Sequence, residues 1–335
     1  MRNFFVPLLI LILFATSCKK YNNVNNNATI KTPFTLYLGG YSGTVQRTND
    51  GVYFTTEFSV DQSAVRHLEF ADSNVVNIKQ NSYYSKNAGS AFNISNAVPR
   101  DYQSLFYQYF LPNGLKYDAS TKILYLCGKS DLMVSTDYGM TYSPEGAWGT
   151  GGKIIPKSIT ELDNGDLFIQ RDSATLYKKT GGVGNWNQVT INTPISKDTT
   201  WYLAHSHDTL ISIDFYGKYG VKYSADGGLN WNSFTGVSNN GKEILFGNNT
   251  PETGEFYIGR DSGGLFKLNG TAFIATGSGI PTYAKVSYVV SKQKVYRTNE
   301  IKKYIYCATN MGLYESQTNG LDWSLVRTGN FSTLR

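Results

Sequence analysis

Charge is scarce in this chain. Of 335 residues only 17% are Asp, Glu, Lys or Arg, with 31 basic against 25 acidic and a net charge of +6. Beyond the first twenty residues no run of Lys or Arg occurs, which removes the electrostatic footprint of a nucleic-acid binder. Charged residues are also too few for a coiled coil or helical bundle. His and Cys number 3 each. His205-Ser206-His207 has only His67 as a third imidazole, and no Cys/His spacing suits zinc, so no metal is expected. Nor is a cofactor: Gly149-Thr150-Gly151-Gly152 lacks the Lys-Ser/Thr that completes a phosphate loop. What is present is 41% hydrophobic residues, enough to bury a core, together with 33 Gly and 25 Tyr. That combination excludes global disorder and points to an all-β protein rich in turns.

The first eighteen residues read as a processing signal. Arg2 is followed by an apolar run, Phe4–Phe14, broken only by Pro7, and then by Ala15-Thr16-Ser17-Cys18. The run falls short of the roughly 20 apolar residues that span a bilayer. Small residues ending in Cys resemble the lipobox of bacterial lipoproteins, which implies removal of residues 1–17 and lipidation of Cys18; an ordinary secretory signal is the alternative. Cleavage removes one basic residue and leaves a net charge of +5. Residues 18–32, with Lys19, Lys20 and an Asn-rich stretch, read as a tether to the membrane, and 33–335 as the folded domain. Some lipoproteins of this kind carry acidic residues just after the lipidated Cys when they are exported to the cell surface; none stands there in this chain, so the resemblance implies an outer-membrane anchor facing the periplasm. Cys127 and Cys307 stand in apolar strand-like runs and are expected as buried thiols.

Internal repeats decide the architecture. Ser224-Ala225-Asp226-Gly227-Gly228-Leu229-Asn230-Trp231 fits Ser-x-Asp-x-Gly-x-x-Trp, and Ser135-x-Asp137-x-Gly139-x-x-Tyr142 repeats it. Ser316, Gly320 and Trp323 keep the frame with Thr318 for Asp, and Ser85, Asn87, Gly89 and Phe92 keep it with Asn and Phe. Degenerate copies end at Trp186 and Phe273. In such a turn the Asp accepts backbone N–H bonds, Gly supplies a positive φ, and the aromatic opens the next strand with a large apolar face. Successive aromatics are 42 to 50 residues apart, the period of four-stranded propeller blades. Four strands can be written for each later unit, as in Trp201–Ala204, Thr209–Asp214, Val221–Ser224 and Trp231–Phe234. Phe34–Gly39 and Gly51–Ser59 supply part of a first blade, giving seven blades, with six as the alternative.

Over residues 80–330 these turns resemble the Asp-box, or BNR, repeat of sialidases, sortilin-type receptors, xyloglucanase-type glycoside hydrolases and photosystem-assembly propellers. The resemblance implies a β-propeller and leaves the function open, because the box is a structural hairpin in all these groups. Leu36-Tyr37-Leu38-Gly39-Gly40-Tyr41 is similar to the opening of lactonase-type propellers over a short stretch. A sialidase is disfavoured: no Arg-Ile-Pro occurs, and only nine Arg are available for the three-Arg clamp that the resemblance would require.

In a four-stranded antiparallel blade with strands A to D, the A–B and C–D turns share one face and the B–C and D–A connections the other. The Asp boxes are C–D turns, so a binding mouth is expected on the second face. Its B–C corners carry Lys129-Ser130-Asp131, Arg171-Asp172-Ser173, Asp214, Arg260-Asp261-Ser262 and Asn310. Asp131, Arg171, Arg260 and Asn310 are candidate ligand contacts, joined by Trp148 in a Gly-rich D–A loop. Asp172, Asp214 and Asp261 are candidate acids for a two-carboxylate hydrolase. The competing reading is that Asp and Ser simply stabilise corners while Arg pairs with Asp on a solvated rim. The expectation is a lipid-anchored, monomeric envelope propeller that binds a glycan or a protein partner, with an Asp-box-type glycoside hydrolase as the alternative.

Overall fold

The computed structural model describes residues 30–59, 62–79, 82–86, 91–95, 112–128, 131–145, 156–171, 175–192, 195, 201–237, 241–262 and 264–335. Apart from one 3-10 turn at Thr180–Gly182, their regular structure is all strand, arranged as seven antiparallel sheets around a central channel. The blade count is seven, not six.

Six blades are sequential. Blade 2 is β5 (His67–Ala71), β6 (Asn74–Ile78), β7 (Ser82–Lys86) and β8 (Ala91–Ile94). Blade 3 is β9 (Leu115–Asp118), β10 (Ile123–Cys127), β11 (Leu132–Ser135) and β12 (Ser143–Pro144). Blade 4 runs β13 (Pro156–Glu161), β14 (Leu167–Arg171), β15 (Thr175–Lys179) and β16 (Asn187–Val189). Blade 5 runs β17 (Trp201–Ser206), β18 (Thr209–Asp214), β19 (Val221–Ser224) and β20 (Asn232–Ser233). Blade 6 is β21 (Ile244–Thr250), β22 (Glu255–Arg260), β23 (Leu265–Asn269) and β24 (Ala272–Thr276). Blade 7 is β25 (Val286–Tyr296), β26 (Ile301–Thr309), β27 (Gly312–Ser316) and β28 (Ser324–Thr328).

Blade 1 closes the ring by joining the two ends of the chain. Its outer strands are β2 (Leu36–Gly40), β3 (Val45–Thr48) and β4 (Thr55–Phe58), and its innermost strand is β29 (Phe331–Leu334). The register pairs Leu38 with Leu334 and Gly39 with Thr333, and Tyr37 and Arg335 exchange backbone hydrogen bonds of 2.7 and 3.0 Å. The incomplete first unit read from the sequence lacked two strands: β3 was passed over, and the innermost strand is supplied by the other end of the chain. Within the expected tether 18–32, Ile30–Thr32 form β1, which pairs with Tyr296 and Val295 at the far end of β25.

The core lies between blades. Seven apolar clusters each join neighbours: Tyr125 and Leu132 of blade 3 meet Ile169 and Trp186 of blade 4, and Phe168 and Leu176 of blade 4 meet Trp201 and Trp231 of blade 5. The same arrangement recurs around the ring, with Leu36 and Leu334 of blade 1 against Tyr306 and Leu313 of blade 7. A blade face is apolar on alternate residues and can be buried only against another blade, so the ring is a single cooperative unit.

Candidate functional site

The hairpin turns that carry the repeat are built as their residue types demand. In blade 5 the Ser224 hydroxyl donates to Asp226 Oδ1 at 2.7 Å and accepts from Gly228 N at 2.8 Å. Asp226 also accepts the N–H groups of Leu229 and Asn230 at 3.1 and 3.0 Å. The Asn230 N–H first, and then the Ser224 hydroxyl, hold its carboxyl down to about 2. Ser135, Asp137 and Gly139 repeat this geometry in blade 3, and Ser316 and Gly320 in blade 7, where Thr318 Oγ1 accepts Asp322 N at 2.9 Å in place of the carboxylate. Trp231 and Trp323 donate their indole N–H to the carbonyls of Gly228 and Gly320. Ser85 donates to the carbonyl of Lys86, while Asn87 and Gly89 lie outside the described residues.

One such turn escapes the sequence pattern. In blade 1, Thr48 Oγ1 donates to Asp50 Oδ1 and accepts from Gly51 N, and Asp50 accepts from Val52 N and Tyr53 N. It is one residue shorter than the motif, with Gly directly after Asp, so a fixed-spacing search passes over it.

The corner candidates among the described residues fall on one face, each at a B–C connection, but one strand outward from the channel. Asp214 is buried, and its carboxylate accepts the backbone N–H of Tyr216, Lys218 and Tyr219 at 3.2, 2.8 and 2.8 Å. Arg260 is buried, with its guanidinium 5.0 Å from the centre of the Phe266 ring. Asp261 is half-buried and its N–H donates to the Glu243 carbonyl. Asn310 Oδ1 accepts Lys285 N at 2.8 Å, tying two connections of blade 7 together. Asp131 and Arg171 are half-buried at the corners of blades 3 and 4. Asp172, Trp148 and Cys18 lie outside the described residues. Cys127 and Cys307 are free thiols on β10 and β26.

The concave feature that the structure adds is the channel itself, a cavity of about 610 Å³ lined by the innermost strands of all seven blades. Its polar groups pair across blade boundaries. Lys116 Nζ lies 2.7 Å from Glu161 Oε2, His207 Nδ1 lies 2.9 Å from Asp163 Oδ2, and Arg335 pairs with the buried Glu69. Burial disfavours the Arg335 cation, yet Glu69 and Tyr288 more than offset it and raise its pKa. His205 Nδ1 is 2.9 Å from Thr160 Oγ1, and burial, reinforced by Lys116, lowers this imidazole to about 4, so it is neutral at pH 7.

Two asparagine arrangements shape the lumen. Asn113, in the left-handed region at φ 63°, donates from Nδ2 to the Leu203 carbonyl at 2.7 Å and the Gly247 carbonyl at 3.4 Å. Its own carbonyl accepts Ile159 N, so this residue of the blade 3 approach is tied to blades 4, 5 and 6. Asn248 donates from Nδ2 to the Val289 carbonyl at 2.7 Å. Yet Oδ1 of Asn248 and Oδ1 of Asn249 are buried on the channel wall without a hydrogen-bond partner among the described residues. Buried acceptors of this kind cost roughly 1–3 kcal/mol each unless a donor reaches them. Neither residue belongs to a repeat motif, and only the ring brings them to the lumen; no local signal marks them.

No family model matches the chain, and no curated protein matches it. Solved structures do. A structure of YCF48 bound to D1 peptide aligns at 16% identity over 78% of this chain and 80% of that one, with a TM-score of 0.54. A virginiamycin B lyase from Staphylococcus aureus with quinupristin aligns at 12% identity over 85% and 97%, TM-score 0.54. A GH74 xyloglucanase from Xanthomonas campestris aligns at 13% identity over 87% of this chain and 58% of that one, TM-score 0.51. At these identities the likeness is one of fold, and that fold is the seven-bladed β-propeller.

Proposed function

We propose that the protein is a lipid-anchored propeller of the Asp-box type that binds a hydroxyl- or amide-bearing ligand, a glycan or a peptide segment, in its central channel. The observation that carries the reading is the pair of unpartnered acceptors, Asn248 Oδ1 and Asn249 Oδ1, on the wall of a cavity of about 610 Å³. A ligand rich in O–H or N–H donors satisfies them once the side chains that cover these buried oxygens give way. Glu161 and Glu69 are each held by a cation, Lys116 and Arg335, and Asp163 by the His207 imidazole, which suits fixed recognition of a polar ligand better than proton transfer. Propellers of this fold include one bound to a peptide. The anchor rests on the Ala15-Thr16-Ser17-Cys18 segment.

A hydrolase is the second reading, favoured by the fold likeness to a xyloglucanase. It needs an acid free to exchange a proton, and Asp214 has both carboxylate oxygens engaged by backbone N–H groups. Screening residues 19–335 on a glycan array and on chromogenic glycosides separates the two. Binding predicts retention without turnover, lost in Asn248→Ala/Asn249→Ala. Sugar release that disappears in Asp172→Asn, Asp214→Asn or Asp261→Asn would replace it with the hydrolase.

A further inference from the structure

Blade 7 is longer than its neighbours on one side only. β27 pairs with β26 no further than Ser316 with Ile305, but β25 and β26 continue as a two-stranded hairpin from Lys292–Tyr304 and Lys294–Lys302 to Val295–Ile301. Five residues of β25 and four of β26 therefore extend beyond the third strand of the blade, about 13–16 Å at strand rise. This is the A–B hairpin, so it stands on the face that also carries the Asp-box turns. β1 pairs with its tip, at Val295 and Tyr296, and the N-terminal segment therefore leaves the propeller there.

The projection is basic outside and neutralised inside. The inward lysines have acidic company: Lys294 Nζ is 3.5 Å from Glu315 Oε2, and Lys292, which burial lowers to about 8, faces Glu252. The outward set is Lys31, Arg297, Lys302 and Lys303, all exposed, against one carboxylate, Glu300, which is 3.4 Å from Lys302. Lys31 is held to the tip by Asn299 Oδ1 at 2.9 Å. Arg297 and Lys303 have no carboxylate partner among the described residues. Lys302 and Lys303 are adjacent on β26, and both are exposed. Between them and the turn lies Ile301, an aliphatic side chain 59% exposed. Clustered Lys/Arg around an exposed apolar residue is the composition of a surface that rests on anionic lipid.

We infer that this hairpin tip is a membrane-contact surface for anionic phospholipid headgroups, and that it turns the Asp-box face of the propeller towards the bilayer. The inference rests on the lipid anchor proposed above for its orientation. From Cys18 to Ile30 is 12 residues, a reach of at most about 43 Å. An anchor at Cys18 thus keeps β1 and the tip within that distance of the headgroup layer, and contact of the basic tip with the headgroups turns the B–C corners away from it.

The test uses unlipidated residues 19–335, which contain every described strand of the ring, sedimented with vesicles. With phosphatidylglycerol/phosphatidylethanolamine vesicles the chain binds, salt weakens the binding, and phosphatidylcholine vesicles do not retain it. Arg297→Gln/Lys302→Gln/Lys303→Gln lowers the partition on the order of 100-fold, at about fivefold for each basic residue, while Lys218→Gln on the opposite face leaves it unchanged. All four substitutions fall on exposed residues, so folding is not at stake. No binding to the anionic vesicles, an unaffected triple variant, or an equal loss in Lys218→Gln would each overturn the contact surface. Mass spectrometry of the N-terminal peptide from cells decides the anchor separately: an unmodified Cys18 removes the orientation and leaves the vesicle result standing.

Discussion

Replacing each of two adjacent glycines by alanine in one turn separates backbone strain from blade contact. Gly227 and Gly228 both have positive φ, 73° and 93°. Alanine at either position incurs the left-handed penalty of about 1 kcal/mol, and the entropy it removes from the unfolded chain is the same for both. Their surroundings differ. A Cβ on Gly227 has Phe168 Cζ as its nearest neighbour at 4.0 Å, whereas one on Gly228 falls 2.3 Å from Leu176 Cδ2 of the preceding blade. Leu176 is fully buried among Phe168, Trp201, Leu210 and Trp231 and has nowhere to swing. Overpacking of this kind adds about 1–3 kcal/mol, so Gly228→Ala is expected to lose about 2–4 kcal/mol in all and Gly227→Ala about 1. Urea unfolding followed by tryptophan fluorescence reads the difference as a shift in midpoint at constant slope. Equal midpoints, or a more damaging Gly227→Ala, would refute the claim that the motif glycine is needed for blade-to-blade approach.

Closure at blade 1 is expected to govern global stability: Leu334→Ala should cost about 2–5 kcal/mol in thermal or urea unfolding, since Leu334 is buried between blades 1 and 7. A loss no larger than that of a surface substitution would deny the role of β29. On the acid side two windows are expected. His67 and His205, lowered by burial to about 4, resist protonation in the fold, so the stability they contribute is complete above the ordinary 6.5 and declines as pH falls towards 4. The turn aspartate Asp226, with its pKa lowered from 3.8 to about 2, contributes stability that is present above 3.8 and is lost as pH falls through 2. Stability that stays flat from neutral pH down to about 4 would contradict the neutral buried histidines. Burial also pushes the Cys307 thiol up, so a thiol reagent should label it only as fast as the ring opens; rapid labelling of the native protein would show that β26 is exposed.

The repeat was legible because its chemistry is local. Ser224, Asp226 and Gly228 satisfy one another within five residues, and a regular spacing of such turns already implies blades. Strand positions in blade 5 follow for the same reason, since alternation and turn residues are written in adjacent positions. The corner candidates show where local reading stops. The composition of Asp214 and Arg260 says corner, but not that one carboxylate accepts three backbone N–H groups or that one guanidinium lies over Phe266.

Sequence alone thus determined an all-β chain of repeated hairpins, and the identity of the residues that make each turn. Tertiary structure decided the rest, because it depends on residues that meet only when the ring closes. β29 completes blade 1 from the opposite end of the chain, across nearly three hundred residues. The motif glycines gain a second purpose that spacing cannot express: Gly139, Gly228 and Gly320 approach Val76, Leu176 and Tyr257 of the preceding blade too closely for any side chain. The channel likewise exists only as a property of seven inner strands together, and it is there that Asn113 crosses to blades 5 and 6 and that Asn248 and Asn249 line the wall with their buried, unpartnered oxygens.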